Sequence, residues 1–299
     1  SHNGLGRLCF TSDPNKAAAH FKTAIEMGEF TGYSHLADLD RENELEHLKN
    51  ALQTGDAYDY YSYGQYLIRQ AKTDEEKESH LHWIEKAAKK GYGFAGFHMA
   101  MHHYKIDSEE DPTNETAKEW CRLGCDTGNL ASLMWFGNRF LESPESHDEA
   151  EGYLRSACMM GDKYAQSFYG AWLVKHGKSF EAQAQGVAWL RKSLAQGHLS
   201  AICPLSEAIR KGQGAEVNLK EAHDLMAYGA DMGRSECQCH LGISYMYGDE
   251  VDIDKERAHD LFQIASLQGD LWATHLLGIT YEAGDGVQQD HAKAFECFI

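Results

Sequence analysis

Histidines and cysteines are the residues with the most accessible chemistry, and their spacing decides what they can do. His98, His102 and His103 stand in the run HMAMHHY. On a helix, His98 and His102 lie one turn apart, close enough for two imidazoles to share a metal ion. A zinc protease of the HExxH type needs a glutamate directly after the first histidine. Met99 occupies that place, so the general base is missing and a structural role is the simpler reading. The eight cysteines, at positions 9, 121, 125, 158, 203, 237, 239 and 297, are irregularly spaced and include no CxxC pair. Zinc knuckles are built on such pairs, so reduced and largely buried thiols are expected, with a secreted disulfide framework as the competing reading. Ser193 and the Cys237/Cys239 pair have no base or oxyanion donor beside them in sequence. There is no GxSxG elbow, no P-loop and no GxGxxG opening a helix after a strand. These residues predict a protein that is not an enzyme, with no catalytic residues, no metal and no cofactor.

Composition narrows the partners. The chain has 299 residues, 42% apolar and 25% charged, a globular balance. With 46 acidic against 28 basic side chains the formal charge is −18, which disfavours a nucleic-acid backbone or an anionic membrane surface. No run of 18 apolar residues suggests a membrane span, and no signal peptide is visible. Reduced thiols lean toward the cytoplasm, although removal of a leader would equally permit a periplasmic or secreted location.

The elements that position all these residues follow a ruler of glycines. Glycine closes a helical stretch at 28, 55, 91, 128, 161, 197, 233 and 269, at intervals of 27, 36, 37, 33, 36, 36 and 36 residues. A small residue always stands four places earlier: Ala24, Ala51, Ala87, Gly124, Ala157, Ser193, Gly229 and Ala265. Three places before each of these comes a large apolar residue, or Cys121, so both lie on one face of a helix. The first helix of each unit carries its own large–small pair: Tyr63-Gly64, Met99-Ala100, Phe136-Gly137, Tyr169-Gly170, Leu205-Ser206, Leu241-Gly242 and Leu277-Gly278. A further large or ring residue follows three places after the small one, completing an apolar stripe that grips the second helix. Residues 29–55 form a short unit with a stunted first helix, marked by Leu36-Ala37, and near the start Ser12 or Asp13 caps a helix whose first turn holds Pro14. The units holding 73–80 and 107–116 carry acidic, polar loops in place of a Gly-x-Gly turn. The expected organisation is one repeat array over 1–299 with its last unit cut short. Because neither end carries a polar cap, the array is expected to continue, or to associate end to end.

The last unit shows the pattern most fully: Ala273, Leu277-Gly278, Tyr281, Gly284-Asp285-Gly286-Val287, Asp290, then Lys293-Ala294-Phe295. It closely resembles the Sel-1-like repeat, an alpha/alpha relative of the tetratricopeptide repeat. The resemblance spans about 16 to 298, is good over 237–269 and is degenerate over 95–128 and 132–161. It implies an all-α, right-handed superhelical solenoid of about eight helix pairs, serving as a scaffold or adaptor for a protein or peptide partner. An inhibitor or immunity-type protein that neutralises a toxin or enzyme by binding it is the alternative from another class.

In solenoids of this kind the first helices line the concave face. Offsets from the large–small pair then nominate the partner-facing positions. Five places before it stand Tyr58, Phe94, Tyr164 and Trp272; two before it, Tyr61 and Phe97; two after it, Met101. Tyr104 and Tyr247 fall toward helix ends, where basic residues also recur as Arg69, Lys105, Lys175 and Lys211. Aromatic anchors edged by a few charges have the makeup of an interaction hot spot. The competing readings are that the aromatics plug gaps between successive units and that the basic residues simply complement helix dipoles.

Overall fold

The computed structural model describes residues 2–30, 32–107, 115–248 and 251–299. Helices pair in chain order: α1 (His2–Cys9) with α2 (Pro14–Glu26), α3 (Gly32–Leu39) with α4 (Glu44–Ala51), α5 (Ala57–Gln70) with α6 (Asp74–Lys89), and α7 (Gly93–Asp107) with α8 (Glu115–Asp126). Then follow α9 (Leu130–Phe140), α10 (His147–Met159), α11 (Lys163–His176), α12 (Phe180–Ala195), α13 (Ile202–Lys211), α14 (Leu219–Asp231), α15 (Ser235–Tyr247), α16 (Lys255–Leu267), α17 (Leu271–Ala283) and α18 (His291–Phe298). Among the described residues there is no strand, so the chain is all-α, in nine successive pairs. Contacts divide it into two compact units, Ser1–Ser156 and Ala157–Ile299. In each unit, first helices touch the first helices of neighbouring pairs, as α3 does α5 and α13 does α15.

Much of the expected punctuation is present, but residues 74–80, expected as an acidic loop, form the first turns of α6, capped by Thr73. Asp13 accepts a hydrogen bond from the Lys16 amide at 3.0 Å with Pro14 in the first turn, and Asp290 caps α18 through the amides of Ala292 and Lys293. The short unit has two helices of only 8 residues each, with Leu36 and Ala37 buried. All eight closing glycines take positive φ, from +70° at Gly55 to +90° at Gly91. In seven units the amide just after the glycine donates to the carbonyl of the recurring small residue, as Glu29 does to Ala24 (2.8 Å) and Tyr92 to Ala87 (3.0 Å). The small residue therefore has two duties: it lets another helix approach, and its carbonyl receives the helix-ending bond.

The large–small pair of the first helix meets the second helix of its own unit. A Cβ at Gly64 would fall 2.8 Å from the Ile84 side chain, and one at Gly242 would fall 2.6 Å from the Phe262 ring. The Gly-x-Gly turns do more than reverse the chain. A Cβ at Gly286 would land on the backbone of Lys255 and Glu256, and one at Gly214 on that of Gln183 and Ala184. Each turn thus rests against the start of the preceding pair's second helix. Lys255 Nζ adds an ion pair to Asp285 across the same joint, at 2.6 Å.

Two polar relays in the second unit also join consecutive pairs. Gln166 Nε2 donates to the Cys158 carbonyl (3.0 Å), and Gln196 Nε2 donates to Gln166 Oε1 (2.8 Å). Gln238 repeats this to the Ala230 carbonyl (3.2 Å), with Gln268 donating to Gln238 Oε1 (2.8 Å). The buried amides Gln166 and Gln238 thereby satisfy carbonyls at the end of the previous second helix.

Candidate functional site

Rings gather on consecutive first helices of the first unit. Tyr58 on α5 lies 5.7 Å from the His35 ring on α3 and 5.6 Å, edge-on, from Tyr92. Tyr61 lies 5.0 Å from Tyr92, 5.7 Å edge-on from Phe94 and 6.1 Å from His98. Phe94 and Phe97 on α7 are 6.0 Å apart. Tyr58, Tyr61 and Phe97 are half-buried, whereas Phe94 keeps 41% of its area exposed. Burial pushes the phenol of Tyr61 well above the ordinary tyrosine value, and the neighbouring Tyr92 and Tyr58 add to the shift, so the patch stays uncharged at physiological pH. Beneath it Asp59 is buried and accepts hydrogen bonds from the hydroxyls of Ser34 and Thr54; burial raises its pKa, against those bonds. The arrangement offers a neutral aromatic ladder with one protruding ring.

Other nominated residues are distributed as follows. Met101 is half-buried on α7, and Tyr104 packs edge-on against Trp135 of α9 at 5.5 Å, with the Arg139 guanidinium 5.0 Å above its ring. Tyr164 is exposed but meets His198 at 4.8 Å. Tyr58 with Tyr92 and Tyr164 with His198 share one geometry, a first-helix ring against the residue that follows the next closing glycine. Both rings therefore fill a gap between successive units, and Tyr164 stays exposed as well. Tyr247 and Trp272 are 68% and 58% exposed, and Trp272 stacks on His275 at 5.6 Å.

Of the nominated basic residues, Arg69 and Lys211 already have acidic partners. Arg69 is held by Glu44 and lies 5.6 Å from the Tyr66 ring, so a partner carboxylate would compete with an existing ion pair. Lys211 pairs with Glu207 at 2.5 Å. Lys175 is exposed, and the Lys105 side chain and the acidic loop 108–114 lie outside the described residues. Glu207 also meets Arg210, and both line a cleft of about 160 Å³ together with His223, Met226, His240 and Ile243.

The three histidines turn to separate partners: His98 to Gln65 (2.8 Å) and His102 to Glu78 (3.1 Å), while His103 stacks edge-on against His102. Among the described residues no three His, Cys, Asp or Glu side chains stand together as a metal site would need, and no helix is long and apolar enough to cross a membrane. All eight cysteines are free thiols, six of them buried. Burial raises Cys158 and Cys239 to about 12. Sequence reasoning passed over Tyr92 and His35. Tyr92 directly follows Gly91, where a cap was expected, and His35 sits in the stunted helix. The one signal for Tyr92 was a ring at the gap between units, a position shared with His198.

A helix-pair array with glycine-closed second helices and large–small first helices defines a class of superhelical repeat scaffold. The Sel1 repeat model matches residues 2–29, 53–92, 128–162, 163–198, 201–233, 235–270 and 273–299, and the chain belongs to the Sel1 repeat family. The unmatched stretches contain the short unit and the pair α7–α8. No curated protein matches. Among solved structures, the chain is similar to a protective antigen of uropathogenic Escherichia coli strains displaying an SLR fold. That likeness has a TM-score of 0.69 at 21% identity, covering 99% of this chain and 68% of the other. It is also similar to a Sel1 repeat protein from Oxalobacter formigenes, with a TM-score of 0.67 at 19% identity, covering 93% and 84%. These likenesses show the fold. Proteins of this family are generally interaction scaffolds, which is the level at which function follows from membership.

Proposed function

We infer that the chain is a scaffold or adaptor that holds a protein partner against the first helices of its first unit. The observation that carries this reading is the aromatic ladder of Tyr58, Tyr61, Phe94 and Phe97, with Phe94 protruding from rings that are otherwise mutually packed. A rigid aromatic surface gives a partner large contact area at small cost in side-chain entropy. Its neutrality, and the engagement of Arg69 by Glu44, favour a partner segment that inserts an apolar or aromatic anchor. The exposed rings Tyr247 and Trp272 form a second zone with the same chemistry, suited to a longer partner or a second contact.

The test is recovery of partners from native extract by the wild-type chain and by a Phe94→Ala/Phe97→Ala variant. Loss of aromatic anchors should cost about 2 kcal/mol or more, so recovery should fall at least roughly tenfold while helicity is kept. Equal recovery by the two proteins would remove the ladder from the site.

A further inference from the structure

Cys203 on α13 and Cys237 on α15 stand on first helices of consecutive pairs, 34 residues apart in the chain, with their sulfurs 3.4 Å apart and no atom placed to separate them. Both belong to the apolar core of the second unit, Cys237 fully buried and Cys203 keeping 7% of its area exposed. We propose that this pair is an intramolecular oxidation site, at which a hydroperoxide converts the two thiols into a disulfide tying α13 to α15.

Geometry and chemistry agree on the pair and on its order of reaction. A disulfide needs the sulfurs at about 2.05 Å, a closure that small side-chain rotations can supply from van der Waals contact. Cys237 is the third residue of α15, within the first turn, where unpaired amides and the helix dipole favour a thiolate. The Cys203 S–H supports that thiolate and lowers the Cys237 pKa against the effect of burial; Arg234 acts the same way. Cys203 itself is raised, by that hydrogen bond and by burial. Cys239, two residues on, is raised by burial to about 12, so it competes poorly. The Cys237 thiolate, in contact with Cys203, which keeps the solvent contact, attacks the hydroperoxide. The O–O bond breaks, Cys237 becomes a sulfenic acid, and the other oxygen leaves as an alkoxide, or as hydroxide from hydrogen peroxide, and takes up the proton that Cys237 had released. The Cys203 thiol then attacks the Cys237 sulfur. The S–S bond forms, the S–O bond breaks, and the hydroxyl leaves with the Cys203 proton as water. Two thiols have lost two hydrogens, and the peroxide has been reduced. The outcome is a covalent staple between neighbouring repeats, independent of where a partner binds.

The experiment is hydrogen peroxide treatment of the folded full chain, alkylation, and non-reducing peptide mapping after trypsin. A peptide joining residues 193–210 to 235–255, two hydrogens lighter than its parts, is expected, with fragmentation assigning the bond to Cys237. It should disappear on dithiothreitol treatment, persist in Cys239→Ala and be absent from Cys203→Ala and Cys237→Ala. If either of the last two variants fails to fold, the wild-type map decides. Absence of the joined peptide at peroxide doses that oxidise Met159, which is 76% exposed, would overturn the proposal. So would a bond assigned to Cys239.

Discussion

Gly242 shows what a missing side chain contributes. Its hydrogen stands where a Cβ would press on the Phe262 ring at 2.6 Å, so Gly242→Leu should overpack the α15–α16 contact and cost about 1–3 kcal/mol, read as a lower Tm. Gly28 is the contrast. Its φ is +86° and an added Cβ there would meet open space, so Gly28→Ala should lose only about 1 kcal/mol, from backbone strain. Equal losses at the two positions would refute the close-approach account. These glycines were legible because they recur at fixed phase beside large apolar residues. The glutamine relays were not. A buried amide that caps a neighbouring helix leaves no periodic apolar signal, and at Gln166 and Gln238 the surroundings, rather than the residue type, decide burial. The acidic neighbour of Arg69 was hidden for a related reason. Arg69 lies at the expected phase, but its partner Glu44 comes from the preceding pair, a juxtaposition that spacing within one unit cannot show.

At the scale of elements, the turn and the second helix before it act as one joint. Gly284 and Gly286 both have positive φ, +76° and +72°, yet only Gly286 stands against backbone that cannot give way. Gly286→Ala should therefore lower the Tm more than Gly284→Ala, and the reverse order would mean that the turn does not seat on α16. A second joint is acid-sensitive. His259 on α16 is buried, its Nδ1 2.8 Å from the Thr280 hydroxyl of α17. Burial lowers its pKa below 6.5, more than nearby Asp260 raises it, and Lys293 also lowers it. The unfolded chain therefore binds this proton more readily than the folded one. Its contribution is fully present above about pH 6.5 and is lost as pH falls through the lowered folded value. Stability measured by urea denaturation from pH 7 to pH 5 should fall less steeply in His259→Gln than in wild type. An identical slope would show that His259 does not titrate within this joint. The helix pairs themselves were readable from the glycine ruler, including the stunted unit. The short second helix α4 was not foreseen, because its closing phase is kept while its length is cut.

For the molecule as a whole, membership of the Sel1 repeat family and a chain of paired helices account for the architecture, and the aromatic ladder supplies a surface on which a scaffold could act. The central claim is that a protein partner contacts first-helix aromatics. Site-specific photo-crosslinking tests it most directly, with a photoreactive phenylalanine analogue at Phe94 and, as the comparison, at exposed Lys22 on the second helix α2. Irradiation in native extract should give a discrete protein adduct from position 94 and none from position 22. An adduct from position 22 with none from position 94 would contradict the account.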